Sequence, residues 1–190
     1  LVINPGSTST KVGVYINEQP LCVSTIRHTV EELMQYEQII DQHDFRQQLV
    51  IDWLKANDIP FEFDAIIGRG GLIKPIPGGV YRVNRKMVYE TYYALRKHAC
   101  NLGCIIAYEL AKQQQNGCKA YIADPVTVDE LLPEARVSGS PLMPRLAIWH
   151  ALNQRAIARR YASEIGSQYE DLNLIICHLG GGISIAAHQK

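Results

Sequence analysis

Two turns built from small residues, each set between runs that favour β-structure, constrain this chain more than any other feature. The first is Asn4-Pro5-Gly6-Ser7-Thr8-Ser9-Thr10-Lys11, placed between an apolar Leu1–Asn4 and the β-rich Lys11–Ile16. The second is Leu179-Gly180-Gly181-Gly182, which follows the strand-like Leu172–His178 and leads into Ile183–Ala187. Each unit reads as strand, tight turn, strand. Gly6 permits close backbone approach, and exposed N–H groups at such a turn can meet anionic oxygen. Ser7, Ser9 and Thr10 add hydroxyl donors, and Lys11 adds a compact positive charge. The pattern reads as a pair of phosphate-facing hairpins, although the Walker spacing G-x-x-x-x-G-K-[ST] is absent. The same residues also suit an ordinary polar hairpin and a purely structural glycine turn.

Between the two turns the periodicities alternate. Leu1–Asn4, Lys11–Ile16 and Leu21–His28 read as an antiparallel meander, with Asn17-Glu18-Gln19-Pro20 as a turn. Thr29-Val30-Glu31-Glu32 offers a capping box to a helix carrying Leu33, Tyr36 and Ile40, and Phe45–Ala56 gives a second helical segment. Ala65–Gly68 reads as a buried strand, Val88–Lys97 and Leu102–Gln115 as helices, and Lys119–Ala123 as a strand ending at Asp124-Pro125. A further helix is expected to carry Trp149 and His150 and run to about Ile165. The order predicts an α/β fold with a mixed sheet.

At 190 residues and 47% apolar composition the chain can build a substantial core. Nineteen basic and nineteen acidic residues cancel, so bulk charge argues for neither a nucleic-acid nor a membrane partner, and no apolar run reaches membrane-span length. Cys22, Cys100, Cys104, Cys118 and Cys177 show no zinc-ribbon spacing and read as reduced packing residues, which fits a cytoplasmic setting.

Six blocks, in order, carry a resemblance to the butyrate kinase branch of the acetokinase family. They are Asn4–Lys11, Gly68-Arg69-Gly70-Gly71-Leu72, His98-Ala99-Cys100-Asn101-Leu102-Gly103, Asp124-Pro125-Val126, His150-Ala151-Leu152-Asn153-Gln154 and His178-Leu179-Gly180-Gly181-Gly182-Ile183-Ser184. The resemblance implies a ribonuclease H-like, actin-type ATPase lobe over 1–125. Residues 126–190 would hold linking helices and the first strands of a second, similar lobe. It further implies ATP-dependent phosphorylation of a short-chain carboxylate, butyrate, to an acyl phosphate, reversible to ATP formation from ADP, with Mg2+ as cofactor and a homo-oligomer at full length. The chain starts at Leu1 without a methionine and stops at Lys190, before the family's adenosine-binding segment, so a fragment inactive by itself is expected.

Residue by residue, Arg69 stands at a strand end between glycines, where a planar cation can grip carboxylate or phosphate oxygens, or simply be solvated. Asp124 follows a strand on the usual ligand side of a parallel arrangement and is read with Asn4 as orienting hydrated magnesium; its alternative is a turn cap before Pro125. His150 and His178 match family histidines near the transferred phosphoryl group, and His98 matches one at the substrate end; in each case a packing role is the alternative. Arg69, His150 and Asp124 are the expected catalytic set. Asn4, Ser7, Ser9, Lys11, His98, His178, Gly180, Gly181 and Gly182 are expected to hold substrate and phosphate. Gly71 and Trp149 are expected to line the acyl pocket, so that Gly71→Val shifts preference from butyrate toward acetate. An isobutyrate kinase and a non-catalytic actin-like nucleotide-binding module are the competing readings.

Overall fold

The computed structural model describes residues 1–180 and 182–190; Gly181, expected in the second glycine turn, lies outside the described residues. The chain divides into two compact units, the first made of Leu1–Lys74 and Gly79–Pro125, the second of Pro75–Gly78 and Val126–Lys190.

The first unit is built on a six-stranded mixed sheet in the order β3-β2-β1-β4-β6-β5. Strands β1 (Val2–Pro5), β2 (Ser9–Ile16) and β3 (Gln19–Arg27) form the expected meander. Its second turn needs only Asn17 and Glu18, because Asn17 takes a left-handed φ of 55°, which asparagine tolerates. Pro20 is harmless on the edge strand, where a missing N–H faces no partner. Strands β4 (Ala65–Arg69) and β6 (Lys119–Ala123) extend the sheet in parallel from β1.

The edge strand β5 (Val80–Arg82), antiparallel to β6, was not foreshadowed by pattern: three residues cannot display a period, and the pairing Val80↔Ala123 supplies what alternation does not.

Helices follow their caps. Thr29 Oγ1 accepts from Glu32 N at 3.2 Å and Glu32 Oε2 accepts from Thr29 N at 2.7 Å, completing the capping box of α1 (Val30–Met34). That helix does not reach Ile40. Asp41 takes the backbone N–H of Gln38 at 3.1 Å and opens a 3-10 turn over Ile39–Gln42, from which α2 (His43–Ala56) continues. Asn84 caps Met87 N at 2.9 Å and so starts α3 at Arg85, earlier than apolar spacing suggests; it ends at Tyr92.

Helix α4 (Asn101–Lys112) is buried over most of its circumference, with Leu102, Ile106 and Leu110 at 0% exposure. It packs on β4 at unusually short range, since a Cβ at Gly68 would lie 1.9 Å from Gly103 O and a Cβ at Gly103 would lie 2.5 Å from Arg69 O. The thiols of Cys100 and Cys104 are buried and pushed up by burial, Cys104 to about 11, which keeps them protonated packing groups rather than metal ligands.

The second unit carries an irregular stretch with a 3-10 turn at Pro133–Arg136, then α5 (Ala151–Glu164) and the hairpin of β7 (Leu174–Leu179) and β8 (Ile183–His188). Helix α5 starts after His150, so Trp149 and His150 precede the helix they were expected to lie within; His150 is its N-cap residue, with φ −86° and ψ 55°. Among the described residues no helix is long and apolar enough to cross a membrane.

The imidazoles of His28, His98 and His188 are held below the ordinary histidine value, and partial loss of hydration against the surrounding protein is the leading cause in each, even at the exposed His98. Arg46 adds to it at His28, Arg69 at His98 and Arg155 at His188. Unfolded histidines take up protons near pH ~6.5, where these native ones still resist, so the unfolded state binds more protons and stability falls as pH drops through that region. The expected result is a melting temperature highest near pH 7–8 that declines toward pH 5, with a shallower slope in His28→Asn. Thermal unfolding by circular dichroism across that range checks it, and a flat profile would contradict the sign.

Candidate active site

In the first unit, the carboxyl ends of β1, β4 and β6 gather Asn4, Arg69 and Asp124 on one edge of the sheet. The register Ile3↔Gly68 and Arg69↔Ala123 brings Asn4, Arg69 and the Ala123–Asp124 junction to the same level along three neighbouring parallel strands. Local sequence makes each strand short and apolar; only the parallel pairing makes their ends converge. Arg69 donates from Nη1 to Asn4 Oδ1 across a long 3.4 Å, which leaves the half-buried guanidinium largely uncommitted to that contact.

Asp124 is 6% exposed and sits at a left-handed φ of 36°. Its N–H donates to Gly79 O at 2.9 Å, and its Oδ1 accepts from Gly79 N at 2.8 Å. A non-glycine residue in that conformation is held there by its surroundings, a kind of constraint that concentrates at functional positions. The oxygen-only donor set of Asn4 and Asp124 suits hydrated magnesium, and among the described residues no three His, Cys, Asp or Glu side chains gather into a metal cage.

The turn after β1 lies on this same edge. Gly6 N donates to Ser9 O at 2.7 Å, closing the turn, while Ser7, Thr8 and Lys11 are exposed and Ser9 is half-buried. His98 lies on the exposed segment before α4, where its Nδ1 accepts from Cys100 N at 3.1 Å. Asn101, whose role the sequence did not disclose, is buried and ties this region together. Its Oδ1 accepts from Leu72 N at 3.0 Å and its Nδ2 donates to Arg96 O at 3.2 Å.

Gly71 does not face open space. A Cβ there would lie 2.7 Å from Asn101 Cα and 3.1 Å from Thr91 Cγ2, so this direction is filled by α3 and α4 and is not an acyl cavity. This corrects the reading of Gly71 as a position where a side chain narrows the pocket. Gly71→Val is accordingly expected to destabilise the chain by about 1–3 kcal/mol through overpacking, checked by denaturant unfolding. An unchanged unfolding midpoint would contradict the packing argument.

In the second unit, His150 and His178 stack face to face, with ring centroids 3.7 Å apart and planes within 5°. His150 Nδ1 bonds Ser184 Oγ at 2.8 Å, and His178 Nδ1 meets Asn153 Nδ2 at 3.0 Å. Gln154, fully buried, fixes the partner: its Nε2 donates to Ser184 Oγ at 2.8 Å and to Ser184 O at 3.1 Å, and its Oε1 meets His188 Nε2 at 3.1 Å. A Cβ at Gly182 would stand 3.2 Å from His150 Cε1, so a glycine lets the hairpin approach that ring. Gly180 is exposed beside His178. Trp149 is half-buried, donating from Nε1 to Val128 O at 2.8 Å with its ring edge-on to His188. Ser184, Asn153 and Gln154 stood inside the resembling blocks, but nothing in their local pattern marked them as the orienting groups of the two histidines.

An α/β unit with a meander-led mixed sheet, a small-residue turn after its first strand and polar groups at its parallel strand ends has the actin-like ATPase fold of acetate kinases. The crystal structure of Porphyromonas gingivalis acetate kinase superposes with a TM-score of 0.69 at 15% identity, covering 100% of this chain and 54% of that one. Over its whole length the chain is similar to part of the curated butyrate kinases. It is 67% identical over 189 residues to the probable butyrate kinase of Bacteroides thetaiotaomicron and 50% identical over 191 residues to butyrate kinase 1 of Clostridium acetobutylicum, covering 100% of this chain and 53% of each relative. The chain therefore spans about half the length of these curated relatives. No protein-family model matches it.

Proposed function

We propose that this chain carries the acyl-side and phosphate-side groups of a butyrate kinase, with residues 1–125 as one actin-like lobe and 126–190 opening the next. The observation that carries this reading is the convergence of Asn4, Arg69 and Asp124 on the sheet edge that also bears the Gly6–Ser9 turn. Phosphoryl transfer asks of a protein mainly positioning and charge stabilisation, and that edge offers a cation, directed donors and a carboxylate without a dedicated base. None is needed, since a carboxylate is already nucleophilic at neutral pH.

In the proposed reaction a carboxylate oxygen of butyrate forms a bond to the γ-phosphorus of ATP as the bond to the bridging oxygen breaks, and the electron pair leaves with ADP. Arg69 orients the carboxylate and the equatorial oxygens, His98 lies at the substrate end, and His150 and His178 stabilise developing charge. Ser7, Ser9, Lys11, Gly180, Gly181 and Gly182 contact phosphate, and Trp149 lines the acyl side. Asn4 and Asp124 would hold magnesium, which supplies charge neutralisation when bound. A homo-oligomer at full length and a cytoplasmic location, where ATP and reduced thiols coexist, complete the proposal.

The test joins residues 1–190 to the part of the Bacteroides thetaiotaomicron relative that they do not cover. The chimera is then assayed with ATP, magnesium and butyrate, acetate or isobutyrate, trapping acyl phosphate as a hydroxamate. Product with kcat/KM highest for butyrate supports the reading; a preference for isobutyrate would reassign the substrate, and no acyl phosphate from any acid would overturn it.

A further inference from the structure

Arg46, on α2, is 0% exposed, and among the described residues no carboxylate pairs with it. Every donor nitrogen is instead spent on neutral oxygen. Nη1 donates to Gly6 O at 2.7 Å, Ser9 O at 3.2 Å and Thr10 Oγ1 at 3.2 Å. Nη2 donates to Ser7 O at 3.2 Å and Gln42 Oε1 at 2.8 Å, and Nε to Gln42 Oε1 at 3.1 Å. The remaining carbonyl of the turn, Thr8 O, accepts from His28 N at 3.0 Å. All four carbonyls from Gly6 to Ser9 are thus turned into the protein. The amide N–H groups of the exposed Ser7 and Thr8 have no acceptor among the described residues.

We propose that Arg46 is the positioning residue and buried counter-charge of the phosphate loop: it pins the loop carbonyls inward so that the amides of Ser7 and Thr8 face an incoming phosphate. This rests on the phosphate-loop reading above and extends it to a residue that never touches the ligand. Two physical facts point the same way. A buried cation without an anion is costly, and an anion seated on the outer side of the turn is the partner that would offset it. Successive outward N–H groups make an anion-binding concavity only if their carbonyls are held away, which one planar fork with five N–H donors can do for adjacent residues. Burial pulls the guanidinium down to about 10, so it stays cationic at neutral pH.

The experiment uses the chimera described above, with Arg46→Met, Arg46→Lys, Gln42→Met and Lys11→Ala. Expected for Arg46→Met is a rise of about 30-fold or more in KM for MgATP, the size of one charge felt across a partly buried turn. The KM for butyrate should stay within about threefold, since Coulombic attraction to phosphate does not act on the acyl site. Arg46→Lys should recover only part of the MgATP affinity, because an ammonium restores the charge without the fork that holds several carbonyls, and a purely packing role would give no such graded rescue. If Arg46→Met does not fold, Gln42→Met keeps the charge but frees the fork. It should still raise the MgATP KM severalfold with an unchanged butyrate KM, and no rise would overturn the proposal. Arg46→Met folded with an unchanged MgATP KM, while Lys11→Ala raises it, would overturn the role of Arg46 and spare the phosphate loop. Silence of both variants would overturn the loop itself.

Discussion

Arg69→Ala in the chimera is expected to lower turnover by about 10²–10³-fold, the usual cost of removing one preorganised charge-stabilising donor, while leaving ATP affinity nearly unchanged. The guanidinium closes β4 beside Asn4, and among the described residues its one side-chain hydrogen bond is the long 3.4 Å contact to Asn4 Oδ1, too little to explain its placement by packing. Its proposed work lies on the carboxylate and on the charge that develops during transfer, so the loss should appear in kcat and kcat/KM together. A second readout is independent of turnover. The Arg69 charge is the second cause, after burial, that lowers the His98 value, so its removal should let His98 titrate at higher pH, visible in imidazole NMR shifts. Lost ATP binding with preserved turnover would overturn the assignment.

The largest expected stability effect belongs to Gly68→Ala. A methyl group there would stand 1.9 Å from Gly103 O and 2.5 Å from Gly103 C, both backbone atoms of α4 that no rotamer change can move. Strand and helix would have to separate, opening the core around Leu102, Ile106 and Ile66, each 0% exposed. The cost should sit at or above the upper end of overpacking, about 3 kcal/mol, which for a chain of this size lowers the melting temperature by roughly 6–12 °C. Gly139→Ala, where nothing lies within 4 Å, serves as the neutral control. Equal melting temperatures for the two variants would show that α4 does not pack on β4 as closely as described. Since Arg69 and Gly70 follow Gly68 directly, such a separation would also displace the strand end that presents the guanidinium.

Much of this was legible from sequence wherever the cause is local. The capping box at Thr29, the meander, the strand Lys119–Ala123 and the β7–β8 hairpin rest on hydrogen bonds and side-chain alternation within a few residues of one another. Arg69 and Asp124 could be placed at strand ends for the same reason. Distance along the chain sets the limit. Arg46 lies 40 residues from the Gly6 carbonyl it holds, and an arginine in a helix carries no mark that separates a buried fork from a solvated charge. His150 read as helical because apolar spacing does not show where a helix begins, and its orienting Ser184 is 34 residues away. The space beside Gly71 was invisible because a glycine states that room is needed, not whether a ligand or another backbone takes it; here α4 takes it. Sequence by itself determined which segments become strands and helices and which small-residue turns lie between them, because those choices are made by local periodicity and capping. Tertiary structure alone decided which carbonyls turn inward, which glycines are filled by neighbours and which imidazoles stack, because those depend on atoms brought together only when the sheet and its helices close.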